Sequence, residues 1–405
     1  MAQMSKRNKI LFLTIMAASL MQMAQFALTP GIAKISAEVF PDVAFWQIQT
    51  AMTLPSLLAT VMSVVSAVII GTRLLSKKAC VVIGMALMAL TGFVVLFAHS
   101  YFWQLCLLSA LLGSGMGFFI APSASIMFDN FNEAERRLAV GFQTSAINFG
   151  GIVMSVGGGY LASRTWYGGY LMLLLAIPVI ILCVAAIPND KKAQPQSQRA
   201  QPPVQKLKIP PNVFYYGLIS FFFLLIYNVC GTNISNHLKA AELGNTATAG
   251  IATAVQMAGG VAAGFAFNRL SAKFRDYLIP AAFFIIFIGF TIVNLGQRLL
   301  LADFIGVFIV GTAISIFVPQ ALFSTSNCLD ASNSAAGTAI VNCILPGLGG
   351  FLSPVVFTNL TAAFGGDSTN FRLQFVGIVS LVFGLALVLT TRYRAQKEKA
   401  AAAAV

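Results

Sequence analysis

Amides and a phenol stand where apolar residues are expected. Gln22 and Gln25 lie three apart on one face of an apolar stretch, Asn148 falls near the middle of a glycine-rich one, and Tyr227, Asn228, Gln256 and Asn342 interrupt three more. Such groups donate and accept hydrogen bonds without formal charge, so the chemistry they suit is recognition of a solute. A polar group inside a bilayer is costly unless it meets a partner or a wet cavity, which makes each a site candidate by default. The alternative for each is a hydrogen bond between helices, worth about 1 kcal/mol or less. Asn233 shares the stretch that holds Tyr227. Thr53, Ser56 and Thr60 are weaker candidates, because a hydroxyl can satisfy itself on the preceding turn.

Enzyme chemistry finds little to work with. His99 and His237 fall at the ends of apolar stretches in different halves, and no carboxylate pair lies within one. A membrane-embedded enzyme is therefore the remote alternative, and no catalytic residue, cofactor or metal is expected. No Asp, Glu or His is placed inside a stretch to carry a proton, and Arg298 and Asp303 read as solvated groups at an entrance. A strongly anionic solute usually needs a buried cation and a permanent cation a buried carboxylate. Their absence predicts a neutral, zwitterionic or moderately lipophilic solute.

The elements that must hold these residues cross a membrane. With about 20 apolar residues for one helical crossing of a hydrocarbon layer about 30 Å thick, twelve segments emerge: 10–29, 46–70, 78–98, 101–128, 136–163, 166–187, 211–234, 247–270, 277–296, 300–324, 332–360 and 371–391. The 25 Lys and Arg and the 12 Asp and Glu all lie between or at the ends of them. With the N-terminus inside, inner connections hold 20 of the 25 basic residues. Outer connections hold Lys34, Arg164, Lys239, Arg298 and Arg372. This asymmetry predicts a multi-pass protein of the plasma (inner) membrane with both termini cytoplasmic. Acidic residues, which contribute little to orientation, divide seven inside and five outside.

Composition agrees. Apolar residues make up 58% and charged residues 9% of the chain, and mean hydropathy is +0.83, far from soluble-domain values. The net charge of +13 reads as topogenic charge and attraction to anionic lipid rather than nucleic-acid binding. No cleavable signal peptide is expected, since the first stretch lacks a small-residue cleavage site. Cys80, Cys106, Cys183, Cys230, Cys328 and Cys343 form no CxxC pair, so free thiols are expected.

Residues 188–210 form the one long polar stretch and read as a cytoplasmic linker between 1–187 and 211–391, with 392–405 as a tail. The halves echo each other. Arg73-Leu74 and Lys77 match Arg269-Leu270 and Lys273 at an offset of 196, Pro122 and Pro319 are 197 apart, and Gly141 and Gly151 match Gly337 and Gly347 at 196. A duplicated six-helix unit explains the offsets.

Two six-helix halves joined by such a linker resemble the major facilitator superfamily over essentially the whole chain. That family carries a Gly/Asp-Arg/Gly/basic pattern between spans two and three and a weaker copy between eight and nine. Here the copies are Thr72-Arg73-Leu74-Leu75-Ser76-Lys77-Lys78, and Gly264 followed by Asn268-Arg269-Leu270-Ser271-Ala272-Lys273. The resemblance makes Thr72, Arg73, Lys77, Asn268, Arg269 and Lys273 candidate gating residues. The family's acidic group is missing, so Thr72 and Asn268 would supply only neutral hydrogen bonds. Span five, from Gly141 to Gly159, is similar to the glycine-rich segment of family exporters, with Met154-Ser155 where a Gly-Pro pair is expected. Close helix packing is the alternative use of those glycines. In span four Ser109 stands where a family pattern has Arg, which removes one argument for proton antiport.

The resemblance implies a fold of twelve transmembrane helices in two pseudo-symmetric six-helix bundles, all-α and integral to the membrane. It also implies a secondary transporter working by alternating access, with the seven polar residues lining a central cavity. Proton-linked efflux is slightly favoured; an uptake symporter or a uniporter for a small nutrient or metabolite is the alternative. The expected partners are a small-molecule solute, membrane lipids and protons, with no nucleic acid, and the chain is expected to be a monomer. Pro55, Pro122, Pro178, Pro319, Pro346 and Pro354 lie in spans as bend points for gating or as fixed curvature.

Overall fold

Residues 5–189, 210–296, 298–326, 337, 339–366 and 368–403 are described by a computed structural model of the chain. Among them there is no strand. The helical segments, in order, are α1 (Lys6–Val39), α2 (Phe45–Gly71), α3 (Lys77–Val94), α4 (Phe102–Asn130), α5 (Glu133–Arg164) and α6 (Gly168–Ala186), then α7 (Pro211–Ala240), α8 (Thr246–Phe274), α9 (Leu278–Leu295), α10 (Leu300–Ser326), α11 (Ile340–Ala363) and α12 (Thr369–Ala403). They are all-α and correspond one for one to the twelve apolar stretches. Eleven of the spans meet the length and apolarity of a membrane crossing, and α5 is a further 32-residue helix.

Local chemistry sets the helix starts. Ser76 accepts from the backbone N–H of Ala79, and Asn132 and Glu135 cap α5 reciprocally. Gln104 turns back to accept from the N–H groups of Ser100 and Tyr101 at the start of α4. Several helix surfaces stay apolar on the outside. Ile378, Val382, Leu385 and Leu389 form an exposed stripe on α12, and Ile177, Ile181 and Val184 form one on α6. Surfaces of this kind suit hydrocarbon as the surrounding solvent.

The chain divides into two compact units, Met1–Lys206 with Gly244–Ala254, and Leu207–Leu243 with Val255–Val405. In the first, Ile48 and Met52 of α2, Met85 and Met88 of α3, Leu108 and Leu112 of α4 and Leu173 of α6 share one buried core. In the second, Phe223 of α7 stacks on Phe317 of α10 with centroids 3.8 Å apart, and Phe283 of α9 meets Phe223 edge-on at 5.4 Å. Glycines allow backbone approach at equivalent places in the two units. A Cβ at Gly113 of α4 would lie 2.5 Å from the Pro55 carbonyl oxygen of α2, and one at Gly311 of α10 would collide with the Gln256 carbonyl oxygen of α8. Similarly, Gly84 packs on Gly115 between α3 and α4, and Gly289 on Gly306 between α9 and α10.

Several boundaries differ from the sequence reading. α1 continues to Val39, so Lys34 is not a loop residue; its ammonium donates to the carbonyls of Ala162 and Ser163 and caps the last turn of α5. α7 continues to Ala240, because Asn233, Ile234 and His237 find buried partners or packing past the end of the apolar run. Arg372, expected in a connection, lies within α12 and is 1% exposed. Cys80, Cys106, Cys183, Cys230 and Cys343 are free thiols; Cys328 lies outside the described residues.

Candidate functional site

In the first unit the polar candidates sit where α1 stops being an α-helix. Met21–Ala27 is a 3₁₀ segment, and Met23 leaves helical geometry altogether at φ −103°, ψ 26°. A 3₁₀ interruption inside a span loosens the regular backbone ladder and frequently marks a hinge or a site. Gln22 and Gln25 are both in this segment and half-buried. Ser56 of α2 donates to Gln25 Oε1 at 2.8 Å, which uses the amide's acceptor and leaves its NH₂ group to face elsewhere. Gln22 Oε1 is buried with no hydrogen-bond partner. Nearby, Gln143 of α5 donates to Ser19 Oγ at 3.2 Å. Asn148 is half-buried farther along α5.

The broken segment of α1 is clamped by glycines. A Cβ at Gly150 would collide with the carbonyl oxygen of Leu20, and Cβ atoms at Gly158 of α5 and Gly169 of α6 would collide with that of Ala27. The glycine-rich span five is therefore used for close packing on either side of Gln22 and Gln25. Ser109, which replaces the expected Arg in α4, is buried beside the Tyr170 hydroxyl at 3.4 Å.

In the second unit Tyr227 of α7 lies near Gln256 of α8 and stacks on Phe223 with centroids 5.9 Å apart. The Asn228 amide packs against Gly350 of α11, where a Cβ would displace it. Asn342 is half-buried in Ile340–Ile344, a π-helical turn at the start of α11. Such turns are uncommon and concentrate at functional sites.

The candidate gating residues behave differently from one another. Thr72 donates to the carbonyls of Val68 and Ile69 on its own helix, so it ends α2 rather than bonding a neighbour. Arg73 is exposed with φ 59°, the left-handed residue that reverses the chain after α2. Lys77 pairs with Asp129 at the end of α4. Charge pairing is therefore present here despite the missing acid, which enters from a different helix. In the second unit Arg269 and Lys273 are exposed, and the Asn268 side chain lies outside the described residues. There the acid is Asp276, which accepts from Ser324 at 2.8 Å near the end of α10, while Gln320 accepts from Ser271 at 2.8 Å. Both units thus tie the start of one hairpin helix to the end of the next.

The expectation that no ionisable group is buried in a span is overturned. His237, placed by the sequence at the end of a span, and Asp303, read as a solvated entrance group, are both fully buried and joined at 2.9 Å. Asn370 Oδ1 accepts from His237 Nδ1 at 2.6 Å. One helical turn earlier on α7, Asn233 Oδ1 accepts from the Arg372 guanidinium at 2.9 Å, and Thr361 Oγ1 accepts from Arg372 Nε at 3.2 Å. Burying charge is tolerable only when hydrogen-bonding partners are supplied, and these residues supply one another. A signal for them existed in the sequence. Cys230, Asn233 and His237 recur at helical spacing, a polar stripe that continues past the apolar limit of span seven.

The arrangement is that of a polytopic carrier, with hydrogen-bonding groups in broken helices and charged ties at helix ends. Solved structures share the fold. The nucleoside transporter NupG aligns with a TM-score of 0.75 at 11% identity, over 94% of this chain and 98% of that one. The POT family transporter PepTSo aligns at 0.74 and 9% identity, over 96% and 99%, and a D-xylose-proton symporter at 0.69 and 14%, over 94% and 97%. No curated protein sequence matches the chain. The sequence model of the Major Facilitator Superfamily matches residues 10–354, most of the chain's length, and a transporter rather than an enzyme follows from it. The chain belongs to the Major Facilitator Superfamily.

Proposed function

We propose that this protein carries a small neutral or zwitterionic solute across the plasma membrane by alternating access, linked to protons. The observation that carries the solute class is the half-buried pair of amides on the broken stretch of α1. Gln22 presents an acceptor with no partner, and Gln25 has its acceptor taken by Ser56. A buried polar atom without a partner costs about 1–3 kcal/mol, a cost that a solute N–H or O–H would remove. Gln22, Gln25, Asn148, Tyr227, Asn228, Gln256 and Asn342 are all uncharged, so they favour hydrogen-bonding solutes over multiply charged ones. The two units of spans supply the moving parts, and the hinge-like interruptions in α1 and α11 fit a cycle in which helices bend.

The glycines of α5 pack against α1 and so carry little about direction. Uptake and export both fit, with the proton gradient setting the sense. Proton linkage draws its support from the buried His237 and Asp303 pair.

The test is accumulation in sealed vesicles holding the purified full chain, with and without an imposed pH gradient. The probes are uridine, D-xylose, dialanine and benzamide, with citrate and tetraphenylphosphonium as charged comparisons. Saturable entry of at least one of the first four, raised by the gradient, supports the reading. Saturable preference for either charged probe overturns the solute class, and accumulation insensitive to the gradient overturns proton linkage.

A further inference from the structure

Within the second unit, the apolar length of α12 ends at Arg394, and that of α7 begins at Pro211. The two ends meet. Arg394 lays its guanidinium over the ring of Tyr215, in the first turns of α7, with Cζ 3.6 Å from the centroid. Tyr216 stands beside it at 5.9 Å and meets Tyr215 edge-on, with centroids 5.3 Å apart. Thr390, one turn earlier on α12, donates its hydroxyl to the Leu387 carbonyl and accepts from the Tyr215 hydroxyl at 3.1 Å. The aromatic platform is thereby fixed to the helix that carries the cation.

An arginine that only anchors a helix end extends its stem towards water. Arg394 does not. It is half-buried and flat on an aromatic face, and among the described residues no oxygen accepts from it. Stacking occupies the face of the guanidinium and leaves the N–H donors in its plane, a rigid fork whose geometry matches phosphate.

The surroundings select the anion. No Asp or Glu occurs in residues 191–240 or 368–397, so the segments on both sides of the contact bring no acid, and Arg392 is exposed two residues away. Towards the middle of the crossing the surface turns apolar. Ala386 and Val382 follow Thr390 along α12 at intervals of four and are exposed, as is Leu218 on α7. Deeper still, Phe222 of α7 packs on Phe383 of α12 at 4.7 Å. A soluble anion gains nothing from such a track, whereas an acyl chain does.

We propose that Arg394 and Tyr215 form a headgroup site for one anionic phospholipid, whose phosphate takes the guanidinium fork while an acyl chain lies along Ala386, Val382 and Leu218. With both termini cytoplasmic, as the charge asymmetry leads one to expect, this end of α12 lies in the leaflet where anionic lipid is concentrated. The cation comes from α12 and its platform from α7, so the bound lipid braces the seam between the two helices.

Native mass spectrometry of the delipidated full-length protein tests this, with phosphatidylglycerol and phosphatidylcholine of matched chains in equal amounts as probes. One tightly held phosphatidylglycerol per chain is expected. Arg394→Gln is expected to weaken its retention at least about tenfold, as for loss of a charge-assisted hydrogen bond. Tyr215→Leu keeps every charge but removes the platform, and a loss of about threefold or more is expected. Arg392→Gln removes an equal charge from another face of α12 and is expected to cost at most about fivefold. Unfolding midpoints in lipid-free detergent check that the variants fold. Equal retention of the two lipids by wild type overturns the proposal, whether or not the variants fold. Equal losses in Arg394→Gln and Arg392→Gln reduce the effect to diffuse charge and overturn it as well, as does a folded Tyr215→Leu protein that retains the lipid like the parent. Displacement of the lipid by inorganic phosphate at constant ionic strength marks a soluble-anion site instead, which also overturns it.

Discussion

His237 Nε2 and Asp303 Oδ1 meet at 2.9 Å with both side chains fully buried. The contact joins the last turn of α7 to the first turn of α10, and Asn370 extends it to α12. If its proton drives transport, His237→Gln leaves a neutral hydrogen-bonding side chain that cannot exchange a proton. Gradient-driven accumulation of the vesicle probes is then expected to fall at least about tenfold, while exchange of labelled for unlabelled probe persists. Loss of both activities together points to misfolding, which the thermal unfolding midpoint checks.

Arg372 makes a stability prediction. Replacing it with Ala leaves Asn233 Oδ1 and Thr361 Oγ1 without that donor in a buried setting, at a cost of about 1–3 kcal/mol. Arg372→Lys recovers charge but not the spread of donors that reaches two helices at once. A ranking by thermal unfolding of wild type above Lys above Ala is expected; an Ala variant as stable as wild type would remove the structural role.

The glycines of α5 make a prediction of opposite character. Gly158→Ala places a methyl against the Ala27 carbonyl oxygen, and overpacking of this sort costs about 1–3 kcal/mol. Gly264→Ala meets nothing within 4 Å and is expected to be neutral. Equal unfolding midpoints for the two variants would refute the clamp on α1.

Lys77 and Asp129 are partly exposed, at 20% and 51%, so their pairing is expected to contribute no more than about 1 kcal/mol to stability. A part in gating, if the pair has one, is tested separately. Exchange of the two residues, Lys77→Asp with Asp129→Lys, is expected to restore the transport rate that either single change lowers. A double variant as slow as the singles would make the pair incidental.

The membrane-spanning helices were legible because hydrocarbon imposes a length and a composition on each crossing, and the glycine and proline positions marked the repeat. What stayed hidden was tertiary. His237, Asp303 and Arg372 stand at the edges of apolar runs, where hydropathy alone reads a solvated end. Only the meeting of α7, α10, α11 and α12 removes them from water. Likewise Asp129 gave no sign that it would supply the acid absent from the family pattern at Thr72, because the partner comes from a helix end 52 residues away from Lys77.

Proton-linked carriage is tested most directly by probe accumulation in sealed vesicles under an imposed pH gradient, compared between wild type, Gln22→Ala and His237→Gln. The account predicts that Gln22→Ala weakens the apparent affinity for a neutral or zwitterionic probe while the gradient still drives it, and that His237→Gln abolishes the gradient's effect without abolishing exchange. Unchanged affinity in the first together with undiminished gradient-driven accumulation in the second would contradict it.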